Sequence, residues 1–324
     1  MKLITYILNM NEHFLHRLCR QVGKPDLADA LSNHLSAPDL SALLLEVYHR
    51  RTEKIAPSDV LAAYRQNRFT RPSSVDTIAF RDLELTWLRA GKESGFEPLE
   101  LSPVAPFGAC SALGTVHQNK VMTALRGTEV VADCTNIMAL ESSARRQRVG
   151  FPTVSVNFCA SHRHLRTQQV PAVPGFTAHF GLFCLSTAGR DPGNFLFEKT
   201  NVARHIDFYL DMLRNIPAGQ NLTLVLKALD PETGPNHLFD TVVEHIAKHT
   251  SNTNLEIDRV PQARQQYYRA LQFGIVLEHG QNRYPIIDGG LTDWTQRLSG
   301  NQKERFVASA VGLEFLWKLL TGNI

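Results

Sequence analysis

The residues best equipped for chemistry lie between Val154 and Asp191, in the run VSVNFCASHRHLRTQQVPAVPGFTAHFGLFCLSTAGRD. The run reads as two apolar-rich strands joined by a loop. Pro171, Pro174 and Gly175 favour that loop, because proline and glycine interrupt a strand and promote a turn. The first strand ends in Arg163, His164 and Arg166; the second carries His179, Phe180 and Phe183. A guanidinium offers phosphate a planar fork of donors, and an aromatic ring can stack on a base. Such a hairpin is either the floor of a nucleotide or anion site or an ordinary hairpin with a solvated basic rim, since clustered charge is mostly surface. Asp133 and Thr135 form a second candidate group. They sit between a strand at Thr128–Asp133 and a helix starting near Thr135 or Asn136, where helix capping alone also accounts for them.

The elements that must position these groups belong to a chain of 324 residues, 43% hydrophobic and 20% charged. That length fits two domains, or one large domain with an appendage, and it can bury a full core without covalent staples. A net charge of +3 with no basic tail signals no general affinity for nucleic acid. Cys19, Cys110, Cys134, Cys159 and Cys184 are scattered, odd in number and without a CxxC pair, as expected of buried thiols in a reducing cytoplasm. His162, His164 and His179 could share a zinc across the hairpin, but no HExxH or Cys/His spacing accompanies them, and no metal is expected. The apolar piece Leu3 to Met10 is too short for a signal peptide. No segment approaches the ~20 apolar residues that span a bilayer. A soluble, cytoplasmic protein without a membrane partner is the expectation.

In chain order, residues 1–74 read as a helical N-terminal region. Leu40, Leu43, Leu44 and Val47 follow helical spacing behind Asp39, and Val60, Leu61 and Tyr64 do so behind Ser58. The basic residues after each stripe suit helix C-termini and need no RNA to explain them. Asp76 opens a helix with Phe80, Leu83, Trp87 and Leu88 on one stripe, ended by Gly91 and Gly95 and followed by an extended piece, Phe96 to Pro103. Beyond the hairpin, a helix (Ala203 to Leu213), a strand (Leu222 to Leu229), a helix (Leu238 to His249) and a short strand (Leu255 to Ile257) read as an α/β insert over about 201–259. Tyr267 to Glu278 reads as a strand whose paired tyrosines point to opposite faces, Asp288-Gly289-Gly290 as a turn, and Phe306 to Leu320 as a strand running into a helix.

This order over residues 75–324 resembles the catalytic domain of class II aminoacyl-tRNA synthetases. The histidyl branch and its regulatory paralogue, the regulatory subunit of ATP phosphoribosyltransferase, are the nearest in pattern. The helix ending at Gly95 and the strand ending at Pro103 are similar to the first family motif, which builds a dimer interface. Ala132-Asp133-Cys134-Thr135-Asn136-Ile137-Met138-Ala139 resembles a Pro-Glu-x-Thr-x-x-x-Ala segment whose acid binds the substrate amine. Leu165-Arg166-Thr167-Gln168, a loop and His179-x-x-x-Phe183 are similar to the second motif. Tyr267-Tyr268, Phe273 and Asp288-Gly289-Gly290-Leu291-Thr292-Asp293 resemble the histidyl-type substrate segments. Ala308 to Phe315, with Glu314, resembles the third motif.

The resemblance implies an α+β fold, an antiparallel sheet flanked by helices. It implies Arg166 on an α-phosphate, His179 on a terminal phosphate, Phe183 stacked on adenine, and Glu314 also on the ATP side, with ATP and Mg as cofactor. Asp133, Thr135, Gln168, Tyr267 and Tyr268 would bind substrate. The departures bear on that chemistry. Gln168 stands where the family has Glu, Phe315 where it has the phosphate-clamping Arg, and Ala263, beside Arg264, where the histidyl branch has a further Arg. Losing one donor to a developing oxyanion costs about 3–4 kcal/mol. Few residues follow the third-motif segment, so no anticodon-binding domain and no tRNA partner are expected. The reading is a homodimeric synthetase paralogue that keeps an amino-acid or nucleotide pocket, binds a small molecule, and acts as a binding or regulatory protein beside a partner enzyme. The alternative is an ATP-dependent ligase that forms an acyl-adenylate.

Overall fold

Two helices of the N-terminal region begin where a side chain or a proline replaces the missing partners of a first turn. The computed structural model describes residues 13–114, 116–168, 175–216, 221–229, 238–249, 253–259 and 267–323. In it, α1 (Ala37–Thr52) is capped by Ser36, whose hydroxyl accepts the Asp39 N–H. α2 (Pro57–Gln66) begins at proline, with Asp59 accepting the Ala56 N–H. The caps thus lie before Asp39 and Ser58, because Asp39 and Asp59 serve better inside the first turn, facing free N–H groups. The chain divides into two compact units. One holds residues 1–66 with 124–128, the other residues 67–123 with 129–324. Asn67 to Ser74, read from sequence as the tail of the helical region, is part of the larger unit.

In the larger unit, Asp76 accepts the Ala79 N–H at 3.0 Å and caps α3 (Thr77–Glu93). Its inner stripe is Phe80, Glu84, Trp87 and Gly91. A side chain at Gly91 would place a Cβ 2.8 Å from Cys159 Sγ, so only glycine lets this helix lie so close to the sheet. The extended piece after it pairs over just two residues, β1 (Glu97–Pro98), running parallel to the hairpin's first strand at Phe158 and Cys159.

The main sheet has eight strands. After β1 come β2 (Val156–Leu165), β3 (His179–Arg190), β4 (Leu222–Ala228), β5 (Asn254–Asp258), β6 (Leu271–His279), β7 (Asn282–Thr292) and β8 (Glu304–Val311). Their spatial order is β1-β2-β3-β8-β7-β6-β4-β5. The interior pairs are antiparallel, and the hairpin is in the expected register, from Val156 opposite Ala188 to Leu165 opposite His179. Only the two outermost pairs are parallel. The helices and strands of the expected insert do not stand apart: β4 and β5 extend this same sheet.

Alternation along each strand gives the sheet two different faces. Phe183, Leu185, Leu224, Phe273 and Ile275 join one large core with α3, α5 (Leu196–Arg214) and α6 (Leu238–His249). α8 (Leu313–Leu320) packs into the same core. The other face carries Phe158, Leu182 and Cys184 under α4 (Cys134–Arg148), and Ala188 and Phe306 near α7 (Trp294–Ser299). Two strand expectations change here. β6 begins at Leu271, after a positive φ at Ala270, so Tyr267 and Tyr268 precede the strand. Asp288-Gly289-Gly290 lies inside β7, paired with both neighbours, and is no turn. Gly290 is glycine for closeness: a Cβ there would sit 2.5 Å from the Leu271 carbonyl and 2.7 Å from the Tyr268 ring. Among the described residues, no helix is long and apolar enough to cross a membrane.

Two buried polar groups tie the layers together. His205 on α5 is fully buried, with Thr187 and Ser309 hydroxyls on its two ring nitrogens at 3.0 and 2.7 Å. Arg146 on α4, 0% exposed, grips Glu304 on β8, 1% exposed, through contacts of 2.5 and 3.1 Å, and donates also to the Val154 and Pro152 carbonyls. Arg190 Nε also reaches Glu304 Oε1, at 3.2 Å, so removing Arg146 leaves the buried carboxylate only one, part-exposed partner, whereas replacing both Arg146 and Glu304 by apolar groups leaves no buried charge. Arg146→Met is therefore expected to lower unfolding free energy by about 3 kcal/mol, the lower end of the range for breaking a buried pair, in urea titration. Arg146→Met/Glu304→Leu should recover most of that loss, and equal loss in both variants would contradict the assignment.

Candidate functional site

The site starts with a helix cap. At the end of the strand-like run 128–133 the chain turns into α4, and Asp133 is the N-cap: Oδ1 accepts the Thr135 N–H at 3.0 Å and its hydroxyl at 2.6 Å. The remaining oxygen, Oδ2, accepts the Tyr267 hydroxyl at 2.5 Å, and Tyr267 also lies 3.0 Å from Thr135 Oγ1. Burial, with the Asp133 charge adding to it, holds the Tyr267 phenol well above its ordinary pKa, so it remains a donor.

Beneath this cap, Cys134 donates its N–H to His164 Nε2 at 2.8 Å. Nε2 is therefore the unprotonated nitrogen, and Nδ1–H donates to the His162 carbonyl at 3.0 Å. Cys134, His164 and Cys184 bring potential ligand atoms within 4.8 Å of one another. The imidazole lone pair is already taken by the Cys134 N–H, so the cluster reads as a support under Asp133. His162 and His179 are not part of it: His179 pairs across from Leu165, at the far end of the hairpin.

Tyr268 repeats the arrangement one residue on. Its hydroxyl donates to Asp288 Oδ2 at 3.1 Å, and Gln272 Nε2 donates to Oδ1 at 2.7 Å. Burial pushes the Asp288 carboxyl above its ordinary range, against the hydrogen bonds from Gln272 and Tyr268, which lower it. The two tyrosine rings meet edge to face at 4.7 Å. Asp288 is flanked in the sheet by Gly274 and Ala310, whose small size leaves open space above the strands.

That space is a cavity of about 470 Å³. Six of the residues expected from sequence line it together: Asp133, Thr135, Arg166, Gln168, Tyr267 and Tyr268. Asp288, Gln272 and Lys120 line it as well. Gln272 Oε1 is buried and has no partner, leaving an acceptor for a ligand N–H. Arg166 donates Nε–H to the Ala132 carbonyl at 3.1 Å and holds its guanidinium 5.3 Å above the Phe180 ring. Among the described lining residues the charged groups are the acids Asp133 and Asp288 and the cations Arg166 and Lys120, with Arg166 held on the carbonyl that precedes Asp133. The Cys110 thiol is no ready nucleophile: burial, then the nearby Asp133 charge, push it up to about 12.

Three expected site residues are elsewhere. Phe183 is 0% exposed in the core of the opposite face, 5.3 Å from the Trp87 ring and 5.6 Å from Phe208. Strand alternation makes Phe180 and Leu182, not Phe183, the residues on the cavity side, so the stacking role expected of Phe183 is corrected. His179 lies outside the cavity wall, with Nε2 on the Arg71 carbonyl at 2.6 Å and Nδ1 facing Arg163 at 3.0 Å. Glu314, 1% exposed, is held by Arg163 and Lys318. Phe315 packs on Phe176 and Tyr284. Pro171, Pro174, Ala263, Arg264 and the Leu3–Met10 stretch lie outside the described residues. Asp288 and Gln272 were missed. The available signal was a polar residue on the even positions of an otherwise apolar strand, and an Asp beside two glycines that alternation places on the sheet.

Burial lowers both His164 and His205 to about 3. Each stays neutral in the fold while the unfolded chain takes up a proton below its ordinary value near 6.5. Protons then favour the unfolded state, so stability is full above pH ~6.5 and falls as pH drops toward ~3. Urea midpoints measured between pH 7 and 4 should decline, with the slope reduced by about half in His205→Gln. A flat profile in the native protein would contradict this.

No protein-family profile matches the sequence, and no curated protein matches it. Solved structures do. Histidyl-tRNA synthetase from S. aureus superposes with a TM-score of 0.61 at 11% identity over 79% of this chain and 69% of that one. An ATP phosphoribosyltransferase regulatory subunit/histidyl-tRNA synthetase from Bacillus halodurans gives 0.60 at 9% identity over 78% and 82%. Histidyl-tRNA synthetase from Nostoc sp. PCC 7120 gives 0.58 at 13% identity over 80% and 75%. The chain carries the class II synthetase-like fold that the histidyl-tRNA synthetases and this regulatory-subunit relative share.

Proposed function

We propose that the protein binds a free amino acid in the Asp133–Asp288 cavity and serves as a binding or regulatory paralogue of a synthetase rather than charging tRNA. The observation that carries this reading is the pair of carboxylates, each held by its own tyrosine, in one cavity with Arg166 and Lys120. The ligand's ammonium meets Asp133, its carboxylate meets the guanidinium and the lysine, and a side-chain N–H meets Asp288 or the free Gln272 oxygen. Such a ligand is a zwitterion with a further donor, as histidine is. The fold shared with a regulatory-subunit relative supports a partner enzyme in the cytoplasm. A homodimer through the α3–Pro103 region fits the exposed Ile78 and Leu85 and the position of β1 at the sheet edge.

The second reading, an acyl-adenylate ligase using ATP and Mg, is favoured by Arg166 standing in the cavity over the Phe180 ring. It would bring the substrate carboxylate to an α-phosphorus by positioning and charge, without a side-chain nucleophile.

Calorimetric titration with L-histidine and with other amino acids bearing side-chain donors tests the first reading. A charge-assisted contact is worth about 1.5–3 kcal/mol, so Asp133→Asn should weaken the bound amino acid about 10–100-fold. Absence of binding across the panel, or binding indifferent to Asp133→Asn, would remove the proposal. Amino-acid-dependent pyrophosphate exchange that vanishes in Arg166→Ala would establish the ligase instead.

A further inference from the structure

Behind the tyrosine pair lies a second cavity, of about 320 Å³, that the amino-acid reading does not use. The backbone from Tyr267 to Ala270 is a wall common to both. Tyr267 and Tyr268 line the first cavity, Arg269 and Ala270 the second. The wall is held tightly. The Arg269 N–H donates to the Leu291 carbonyl at 2.8 Å, and the Leu271 N–H to the Arg269 carbonyl at 2.6 Å. Ala270, between the last two, has a φ of 59°. A hydrogen bond closing around one non-glycine residue at positive φ makes a strained γ-turn, kept only where its surroundings impose it. The other lining residues come from the starts of α5, α6, α7 and β8 and from the end of β7.

One group in this second cavity is incomplete. Glu198, in the first turn of α5 and 2% exposed, accepts Arg305 Nε–H on Oε1 at 2.8 Å. Its Oε2 is buried and has no hydrogen-bond partner among the described residues. A buried acceptor left unmet is costly, most of all on a charged group. The two arginines in the lining already face acids, Arg305 at Glu198 and Arg269 at Asp293. The unmet demand is for a donor. Burial, with the Asp191 charge adding to it, raises the Glu198 carboxyl above its ordinary range, against its own N–H and Arg305, which lower it. A positively charged donor would meet the oxygen and offset the burial of its charge together. Beside it, Ala270, Leu291 and Phe306 supply apolar wall for a short hydrocarbon stem.

We infer that this cavity is a second small-molecule site, one for an organic cation that carries a primary ammonium head on a short apolar stem. The head meets Glu198 Oε2, and the stem lies against Leu291 and Phe306. The site goes beyond the amino-acid reading and does not depend on it. An occupant would touch the packing behind the first site. The Phe306 ring lies 6.0 Å from Trp294, and Trp294 lies 5.0 Å from Tyr267, whose hydroxyl is on Asp133.

The probe is n-butylammonium chloride, with n-butanol as its uncharged match and sodium butyrate as its anionic one. Each is titrated into the full chain labelled with nitrogen-15 tryptophan. Three tryptophans give three indole signals, and that of Trp294, whose Nε1 is buried between the two cavities, reports occupancy. The n-butylammonium ion should shift it with a dissociation constant of about 1 mM. Binding of n-butanol should be at least about tenfold weaker, and butyrate should not bind. Because an ammonium is drawn to Asp133 as well, the titration is repeated in Asp133→Asn and Glu198→Gln. Asp133→Asn should keep the affinity within about twofold, and Glu198→Gln should lower it at least about tenfold, to that of n-butanol. Circular dichroism checks folding. Should Glu198→Gln not fold, Gln296→Phe, which fills the cavity from α7, should abolish the shift instead. No shift at about 50 mM n-butylammonium would overturn the inference, leaving water to complete Glu198. A shift lost in Asp133→Asn but kept in Glu198→Gln or Gln296→Phe would overturn it too, by assigning the cation to the first cavity.

Discussion

One carboxylate anchors both the architecture and the candidate chemistry. Asp133 ends the approach to α4 and satisfies Thr135 at its first turn, and its second oxygen is held by Tyr267 in the wall of the cavity. The next residue, Cys134, is tied by its N–H to His164, which is buried in the hairpin. The helix start is thus pinned from two sides, and the carboxylate cannot turn without breaking a cap. A negative charge at a helix N-terminus is also where the backbone dipole favours it. Geometry fixed this firmly before any ligand arrives is what a binding site needs to avoid ordering costs on association.

The cavity exists because the two faces of the sheet are paved differently. On the face toward α3, α5 and α6, Phe183, Phe273 and Ile275 interlock into a continuous core. On the other face the middle of the sheet is paved with small residues, Gly274 and Ala310, beside Asp288. Gly290 carries this further, since only a missing side chain lets Tyr268 lie against β7 and reach Asp288. The acids gather where the helix start and the tyrosine pair meet, and the cations where the hairpin leaves the sheet.

Much of this was legible in the sequence because it is local. The hairpin, the cap at Asp76, the helix after Asp133 and the strand-to-helix run at the C-terminus are written in spacing and turn residues. The common location of Asp133, Arg166 and the tyrosine pair came from motif resemblance, which carries long-range information that periodicity does not. Where that resemblance set residues by count alone it misplaced Phe183, whose ring strand parity turns into the core of the opposite face. Asp288 was hidden because Asp-Gly-Gly is also the composition of a turn, and only pairing with β6 and β8 distinguishes the two. The attachment of Arg68 to Thr167 and Gln168 joins positions about a hundred residues apart and leaves no local trace at all.

The most direct measurement is a crystal structure of the full chain with L-histidine at saturating concentration. The account predicts the ligand in the cavity, with its ammonium within hydrogen-bond distance of Asp133 and its carboxylate on Arg166 or Lys120. An empty cavity under those conditions, or the ligand bound with its carboxylate against Asp133 and Asp288, would contradict it.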